Sequence, residues 1–171
     1  MPAATIVRFP ALGRAPGAVE VRVSWASDRR RRTAWSPWAE LARRPDILLH
    51  RCRLDEGRGW WCPDERVILL DDRLDRRAAR CVLAHELGHV VLGHTGLPDV
   101  TGADRLSARA EVAADQWAAR RLVPRPELRR ALALYPDDEA AAAAELDVTA
   151  EMLRVRLTDV VRRQGRLPRS S

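Results

Sequence analysis

The sequence of 171 residues has no lysine, only one tyrosine and one phenylalanine, and no long apolar run. A transmembrane helix needs about 20 consecutive apolar residues, so we expect no membrane-spanning segment. Residues 1–17 also lack the basic start and the long apolar stretch of a secretion signal. We therefore expect a cytoplasmic protein with no membrane partner.

Cysteine is scarce: Cys52, Cys62 and Cys81 stand at unrelated spacings, and there is no C-x-x-C pair. A zinc knuckle needs closely spaced cysteine pairs, and a secreted disulfide scaffold needs many cysteines in a short chain. Both classes are therefore disfavoured. We expect the three cysteines to be reduced and to pack as small apolar side chains.

Basic charge is unevenly distributed along the chain, whose net charge is +6. Residues 1–50 carry nine arginines against four acidic residues, whereas residues 51–171 carry 21 arginines against 20. Much of the excess lies in the run Arg29–Arg32. Nucleic-acid-binding proteins usually carry a basic face on the folded body. We therefore do not favour DNA as the main partner.

Changes in composition divide the chain into four segments. Residues 1–33 form an N-terminal extension, which is a short hairpin, a loosely ordered segment or translated upstream sequence. Residues 34–135 form the core, residues 136–165 a C-terminal helical subdomain, and residues 166–171 a tail. The order of the predicted elements indicates an α+β fold.

Three short apolar runs lie between a first helix and a series of further helices. The runs cover residues 47–54, 59–62 and 66–70, and the turns between them predict a small antiparallel sheet of about three strands, ordered as a meander. Asp75 and Gly93 are a suitable N-cap and C-terminal stop for a long helix. The predicted helices cover residues 37–44, 76–93, 107–122, 126–134, 137–146 and 149–163.

The long helix contains the pattern H-E-x-x-H, as His85, Glu86 and His89. Residues four apart lie on one face of an α-helix, so both imidazoles can bind one metal ion. Glu86, one residue along, is close enough to hold a metal-bound water without binding the ion itself. The pattern therefore predicts a site for a single zinc ion.

A third protein ligand is needed, with the fourth position left for water. On the next helix, Glu111 and Asp115 are also four residues apart, so Glu111 can complete the ligand set and Asp115 can hold a ligand histidine by a hydrogen bond. This order is the gluzincin arrangement. His94 is one residue out of register with the alternative metzincin pattern. We therefore expect His94 at the rim of the site, as a helix cap or a contact to the transition state.

The last two predicted helices resemble a helix-turn-helix, since residues 145–149 lead into an apolar stretch at residues 152–157. Residues 146–171 carry six arginines against three acidic residues. The pair is either a DNA-binding unit or a packing subdomain that flanks the active-site groove. We favour the packing subdomain.

Two segments together resemble the ImmA/IrrE family of metallo-endopeptidases. They are LAHELGHVVLGH at residues 83–94 and EVAADQWAARRLVP at residues 111–124. Family members have a similar H-E-L-G-H-x-x-L-G-H helix, followed by E-x-x-A-(N/D)-x-F-A-x-x-L-(L/M)-x-P. Trp117 replaces the usual phenylalanine, and Arg121 departs from the usual leucine. The resemblance covers roughly residues 35–165.

This resemblance implies one zinc ion bound by His85, His89 and Glu111, with Glu86 as the catalytic base. It also implies a protein substrate, such as a transcriptional repressor, cut by zinc-activated water. Two alternatives stay open. One is a DNA-binding regulator with a structural zinc site, and the other is an adaptor that sequesters a repressor without cutting it.

Overall fold

The structure is a computed structural model that describes residues 35–94 and 103–164. Within these ranges the chain forms six helices and a three-stranded sheet, which confirms the α+β fold class. The N-terminal extension at residues 1–33, for which a short hairpin is one of three alternatives, and the tail lie outside the described residues. The elements are α1 (Pro37–Ala42), β1 (Leu48–Cys52), β2 (Gly59–Cys62), β3 (Val67–Asp71), α2 (Arg76–Leu92), α3 (Ala103–Leu122), α4 (Arg125–Leu134), α5 (Glu139–Glu145) and α6 (Ala150–Gln164).

The sheet is mixed, so the predicted antiparallel meander is wrong. The strand order is β1-β3-β2, with β1 parallel and β2 antiparallel to β3. All residues of β3 are buried, whereas β1 and β2 each have an exposed residue. A continuous apolar run such as Val67–Leu70 is typical of a strand at the centre of a sheet. For this reason β3 lies between the two strands that precede it in the chain.

Helix α2 has the two ends that the sequence predicts. Asp75 accepts a hydrogen bond from the Ala78 N–H at 2.7 Å, and Gly93 ends the helix in the left-handed conformation with a φ of 68°. A side chain would be strained at that φ, which explains the glycine. Both ends of the helix that carries His85 and His89 are therefore well defined.

Helices α2 and α3 are in close contact at a glycine. A Cβ on Gly88 would lie 3.0 Å from backbone atoms of Ala114, and both residues are buried. Gly88 precedes His89 in α2, and Ala114 precedes Asp115 in α3. The glycine thus sets the separation of the two helices that carry the candidate metal ligands.

The other helices agree with the prediction to within two residues at each end, except that α3 begins at residue 103 instead of 107. Residues 103–106 (ADRL) precede the predicted start of this helix. Alanine, arginine and leucine favour a helix, so the helix extends back through them.

Two apolar clusters form the interior. One packs α2 against the sheet around the fully buried Leu83, and the other joins α2 and α3 to the C-terminal helices around Leu153. Trp117 packs against both clusters and makes an edge-to-face contact with Trp35, with ring centroids 5.5 Å apart. The C-terminal helices thus share a core with the helices of the candidate site. None of the described helices is both long and apolar enough to cross a membrane.

Candidate metal centre

Three side chains from α2 and α3 converge on one point. The Nε2 atoms of His85 and His89 are 3.0 Å apart, and Glu111 carboxylate oxygens lie 3.1 Å and 3.5 Å from them, respectively. In the part of the chain that the structure describes, the ligand atoms of this group all lie within 4.8 Å of one another. Two imidazole nitrogens and one carboxylate oxygen suit a catalytic zinc ion. The four-residue spacing aligns the histidines, and the close packing of α2 and α3 adds the carboxylate.

Asp115 holds His85 from the opposite side of its imidazole ring. The His85 Nδ1–H donates a hydrogen bond of 2.8 Å to Asp115 Oδ1, while Nε2 faces the other two ligands. Burial lowers the pKa of His85, but the Asp115 hydrogen bond and the negative charges of Glu86, Asp115 and Glu111 outweigh burial and raise that pKa. Burial and the neighbouring His85 lower the pKa of His89. Asp115 therefore selects the His85 tautomer whose Nε2 lone pair can bind a metal.

Glu86 lies beside the ligand group without belonging to it. It is only 5% exposed, and this burial raises its pKa from 4.5 to about 7. The positive charge of His85 and a hydrogen bond from the Trp61 backbone oppose the rise, whereas the negative charge of Glu111 adds to it. A carboxylate with a pKa near neutral can accept and return a proton at the pH of a cell.

Gly59, at the start of β2, lies against Glu86. A Cβ on Gly59 would be 2.7 Å from Glu86 Oε1 and still closer to Val82 Cγ1, so no side chain fits there without movement. Because β2 is at one edge of the sheet, this contact brings a strand edge next to the Glu86 carboxylate. The sequence predicts Gly59 as the first residue of a strand, directly after a turn, and gives it no part in the site. A glycine at the start of a strand is also typical of close backbone approach.

A cavity of about 310 Å³, which we call the groove, opens beside the candidate metal ligands. Three apolar side chains from α2 and α6 line it, namely Val82, Met152 and Val155. The part that the α6 residues play in the groove could not be predicted from the sequence, because it depends on how the C-terminal helices pack. The other lining residues are Arg58, Gly59, Cys81, His85, Glu86, Asp115, Thr149 and Glu151.

Two contacts tie the N-terminal end of α6 to the rest of the groove. Arg58 and Glu151, both exposed, form an ion pair of 2.8 Å. The backbone N–H of Thr149 donates a hydrogen bond of 3.4 Å to the Sγ of the buried Cys81. Burial raises the pKa of the Cys81 thiol, so it stays protonated and serves as a packing contact. The other two cysteines are half-buried and reduced.

His94 lies on the side of His89 that faces away from the ligand group. Its Nδ1 is 3.0 Å from the Nδ1 of His89, whereas the Nε2 of His89 faces His85 and Glu111. Among the described residues, the metal group comprises His85, His89 and Glu111 and does not include His94.

The comparison with protein families agrees with this geometry. Residues 42–158 match the family model described as Peptidase_M78, the IrrE N-terminal-like domain. The match covers more than half of the chain and includes α2 and α3. The chain therefore belongs to this family of metallopeptidases, and the resemblance to the ImmA/IrrE family is confirmed. No curated protein matches the chain closely enough to be counted as similar.

Proposed function

We propose that the protein is a zinc-dependent endopeptidase that cleaves a cytoplasmic regulatory protein, such as a transcriptional repressor. The observation that carries this proposal is Glu86, a buried carboxylate with a pKa raised to about 7 beside the three-residue ligand group. Burying an ionisable group is unfavourable, and groups with pKa values perturbed in this way cluster at catalytic sites. A purely structural zinc site has no need for this residue.

The donor chemistry of the ligand group fits zinc. Neutral imidazole and carboxylate are its ligands in catalytic sites, and three protein ligands leave a position for water. Asp115 accepts a hydrogen bond from the His85 Nδ1–H, so Nε2 is available as a ligand atom. Zinc bound there supplies a water of lowered pKa and polarises the peptide carbonyl.

Glu86 performs the proton transfers in this proposal. Its carboxylate accepts a proton from the attacking water as the water oxygen bonds to the peptide carbonyl carbon. Glu86 then gives that proton to the amide nitrogen as the C–N bond breaks, so one water is consumed and a carboxyl and an amine are produced. Burial keeps Glu86 a better proton acceptor than an exposed glutamate, which suits both the acceptance and the return of the proton.

The edge strand β2 offers a binding mode for an extended substrate. Within the described residues β2 pairs only with β3, so the backbone groups on its other side, apart from the Trp61 N–H that binds Glu86, can pair with a substrate strand. Pairing of this kind gives affinity through main-chain hydrogen bonds. Gly59 brings β2 against Glu86, so a segment paired with β2 passes the catalytic base.

The groove adds side-chain selection to this backbone pairing. Its wall of Val82, Met152 and Val155 is apolar, and it opens beside His85 and Glu86. A substrate residue next to the cleaved bond would place its side chain there. We therefore expect an apolar residue beside the cleaved bond, because a charged side chain would lose hydration against this wall.

Limited cleavage of a regulator fits these features better than general digestion. An enzyme that shares a compartment with the cell's own proteins must not cut them indiscriminately. The family resemblance supports the same substrate class, since ImmA/IrrE proteins act on repressors of mobile elements or stress genes.

The test compares the wild type with Glu86→Gln on a peptide library prepared from a whole proteome. We expect the zinc-loaded wild type to cut a limited set of peptides, with an apolar residue beside the cleaved bond. Glu86→Gln should bind the same amount of zinc and cut none, because an amide cannot shuttle the proton. Glu56→Gln, at an exposed glutamate between β1 and β2, is the matched control and should behave as the wild type.

Two outcomes of this test would contradict the proposal. A zinc-loaded wild type that cuts no peptide would refute the peptidase, and binding of an intact repressor would then favour the sequestering adaptor. Cleavage by Glu86→Gln at the wild-type rate would refute the role of Glu86.

The DNA-binding alternative finds less support in α6. Arg156 is buried and donates a hydrogen bond to the Val123 carbonyl, and buried Asp159 binds Arg120. The face of α6 with Met152 and Val155 lines the groove. Much of this helix is therefore occupied by contacts within the protein.

A further inference from the structure

The two candidate ligand histidines differ in the group that contacts Nδ1, the ring nitrogen that faces away from the ligand group. The Nδ1 of His85 donates to Asp115, which the sequence predicts for this role. The Nδ1 of His89 lies 3.0 Å from the Nδ1 of His94, a residue that the metal group does not include. Within the described part of the chain, the structure gives His89 Nδ1 this partner and no other.

The backbone explains how His94 reaches this position. After the left-handed Gly93, the chain turns back, and the His94 N–H donates a hydrogen bond of 3.0 Å to the His89 carbonyl. The two rings then stand edge to face, with centroids 5.0 Å apart and planes at 69°. His94 thus contacts His89 through both its backbone and its side chain.

Proton placement decides which ring donates. A metal held by this group would bind His89 through Nε2, which must then carry a lone pair, so the ring proton would be on Nδ1. The close Nδ1–Nδ1 contact requires one donor and one acceptor, so His94 Nδ1 accepts and the His94 proton is on Nε2. We propose that His94 is a positioning residue that fixes the tautomer and the ring orientation of His89 for metal binding.

This geometry also separates His94 from a metal ligand. The Nδ1 and Nε2 atoms are on different edges of the imidazole, and His94 meets the edge away from His85 and Glu111. His94 could join the ligand set only if His89 turned its ring over. His94 therefore holds the ring of His89 in the same way as Asp115 holds the ring of His85.

The inference rests on the proposed metal centre but not on peptidase activity, so the test measures zinc affinity. The variants are His94→Ala, His94→Asn and His94→Gln, each in the full chain. In asparagine the side-chain oxygen is attached to Cγ, as Nδ1 is in histidine, so it can accept from the same place. In glutamine the oxygen is one bond further out, which makes His94→Gln the matched control.

We expect His94→Ala to weaken zinc binding by about 10-fold to 100-fold, as is typical when the partner of a ligand histidine is removed. His94→Asn should restore affinity to within about threefold of the wild type, while His94→Gln should remain close to His94→Ala. Competition with a chelator gives the affinities. The visible absorption of the cobalt-substituted protein reports whether the ligand geometry changes in the same order.

The melting temperature of each metal-free variant separates positioning from folding. Equal zinc affinity in wild type and His94→Ala would overturn the inference, as would His94→Asn binding no better than His94→Gln. A weakening in all three variants that follows a loss of metal-free stability would also overturn it. If the wild type binds zinc but cuts no peptide, the proposed peptidase fails and the role of His94 stands. If the wild type binds no zinc, both fail.

Discussion

The burial of Glu86 predicts that the metal-free protein becomes more stable when this residue is made uncharged. The folded state holds the Glu86 proton more tightly than the unfolded state, because burial raises the pKa from 4.5 to about 7. The stability contributed by the protonated form is therefore fully present below pH 4.5 and is lost as the pH rises through about 7. Glutamine has nearly the same shape and no charge, so Glu86→Gln avoids this loss.

The magnitude follows from the change in pKa. Each factor of ten in proton affinity corresponds to about 1.4 kcal/mol, so the complete loss is about 3 kcal/mol. The free energy of unfolding of Glu86→Gln should exceed that of the wild type by about 3 kcal/mol at pH 8 and by about 1 kcal/mol at pH 5. The assay is urea unfolding of both proteins in the presence of a chelator, with the transition followed by circular dichroism.

Glu56→Gln is the control for this measurement, because Glu56 is exposed and its replacement should change stability by less than about 0.5 kcal/mol at either pH. Equal stability of wild type and Glu86→Gln at pH 8 would refute the reasoning, since Glu86 would then carry no penalty for ionisation. If Glu86→Gln raised the free energy of unfolding as much at pH 5 as at pH 8, the cause would be packing and not charge. The predicted result would mean that the protein gives up stability to keep an ionisable group beside its candidate metal ligands.

Three further predictions concern the surroundings of Glu86. Gly59→Ala places a methyl group against Glu86 and Val82. We therefore expect turnover of a library peptide that the wild type cuts to fall by about 100-fold, with zinc content unchanged. Turnover equal to that of the wild type would contradict this contact. Asp115→Ala should raise the zinc dissociation constant by about 10-fold to 100-fold in chelator competition, and an unchanged constant would refute its hold on His85. Val155→Phe should fill part of the groove, with zinc affinity as in the wild type. In the peptide library, the preferred residue beside the cleaved bond should then have a smaller side chain. An unchanged preference would show that the groove does not select the substrate residue.

The features that the sequence predicts well are those decided by local spacing. His85 and His89 are four apart on a single helix, and Glu111 and Asp115 repeat that spacing on the next one. The helix period alone puts each pair on one face. Asp75 and Gly93 likewise act on their immediate neighbours, so the ends of α2 could be assigned before the fold was known.

The strand order could not be predicted in the same way, because an apolar run does not identify its partners. The turns between the strands favoured a meander, while the central position of β3 depends on burial against α2. The continuous run Val67–Leu70 was the available signal, since an edge strand would be expected to alternate.

The residues that surround the candidate metal ligands could not be predicted from local sequence spacing either. Gly59 lies on β2 and Val155 lies on α6. Only tertiary packing brings these two residues close to Glu86 on α2. His94 illustrates a different limit. Continued helical geometry would rotate it off the metal face, but the left-handed Gly93 turns it back onto the outer edge of His89.

The most direct test of the proposed function compares the protein N-termini in cells that produce equal amounts of wild type or Glu86→Gln. New N-termini mark cut peptide bonds, and mass spectrometry identifies them across the proteome. The account predicts new N-termini in one or a few transcriptional regulators, with loss of their full-length form, only in cells with the wild type. Equal sets of N-termini in the two kinds of cell, with zinc bound to the wild type, would contradict the account, as would cuts spread over many unrelated proteins.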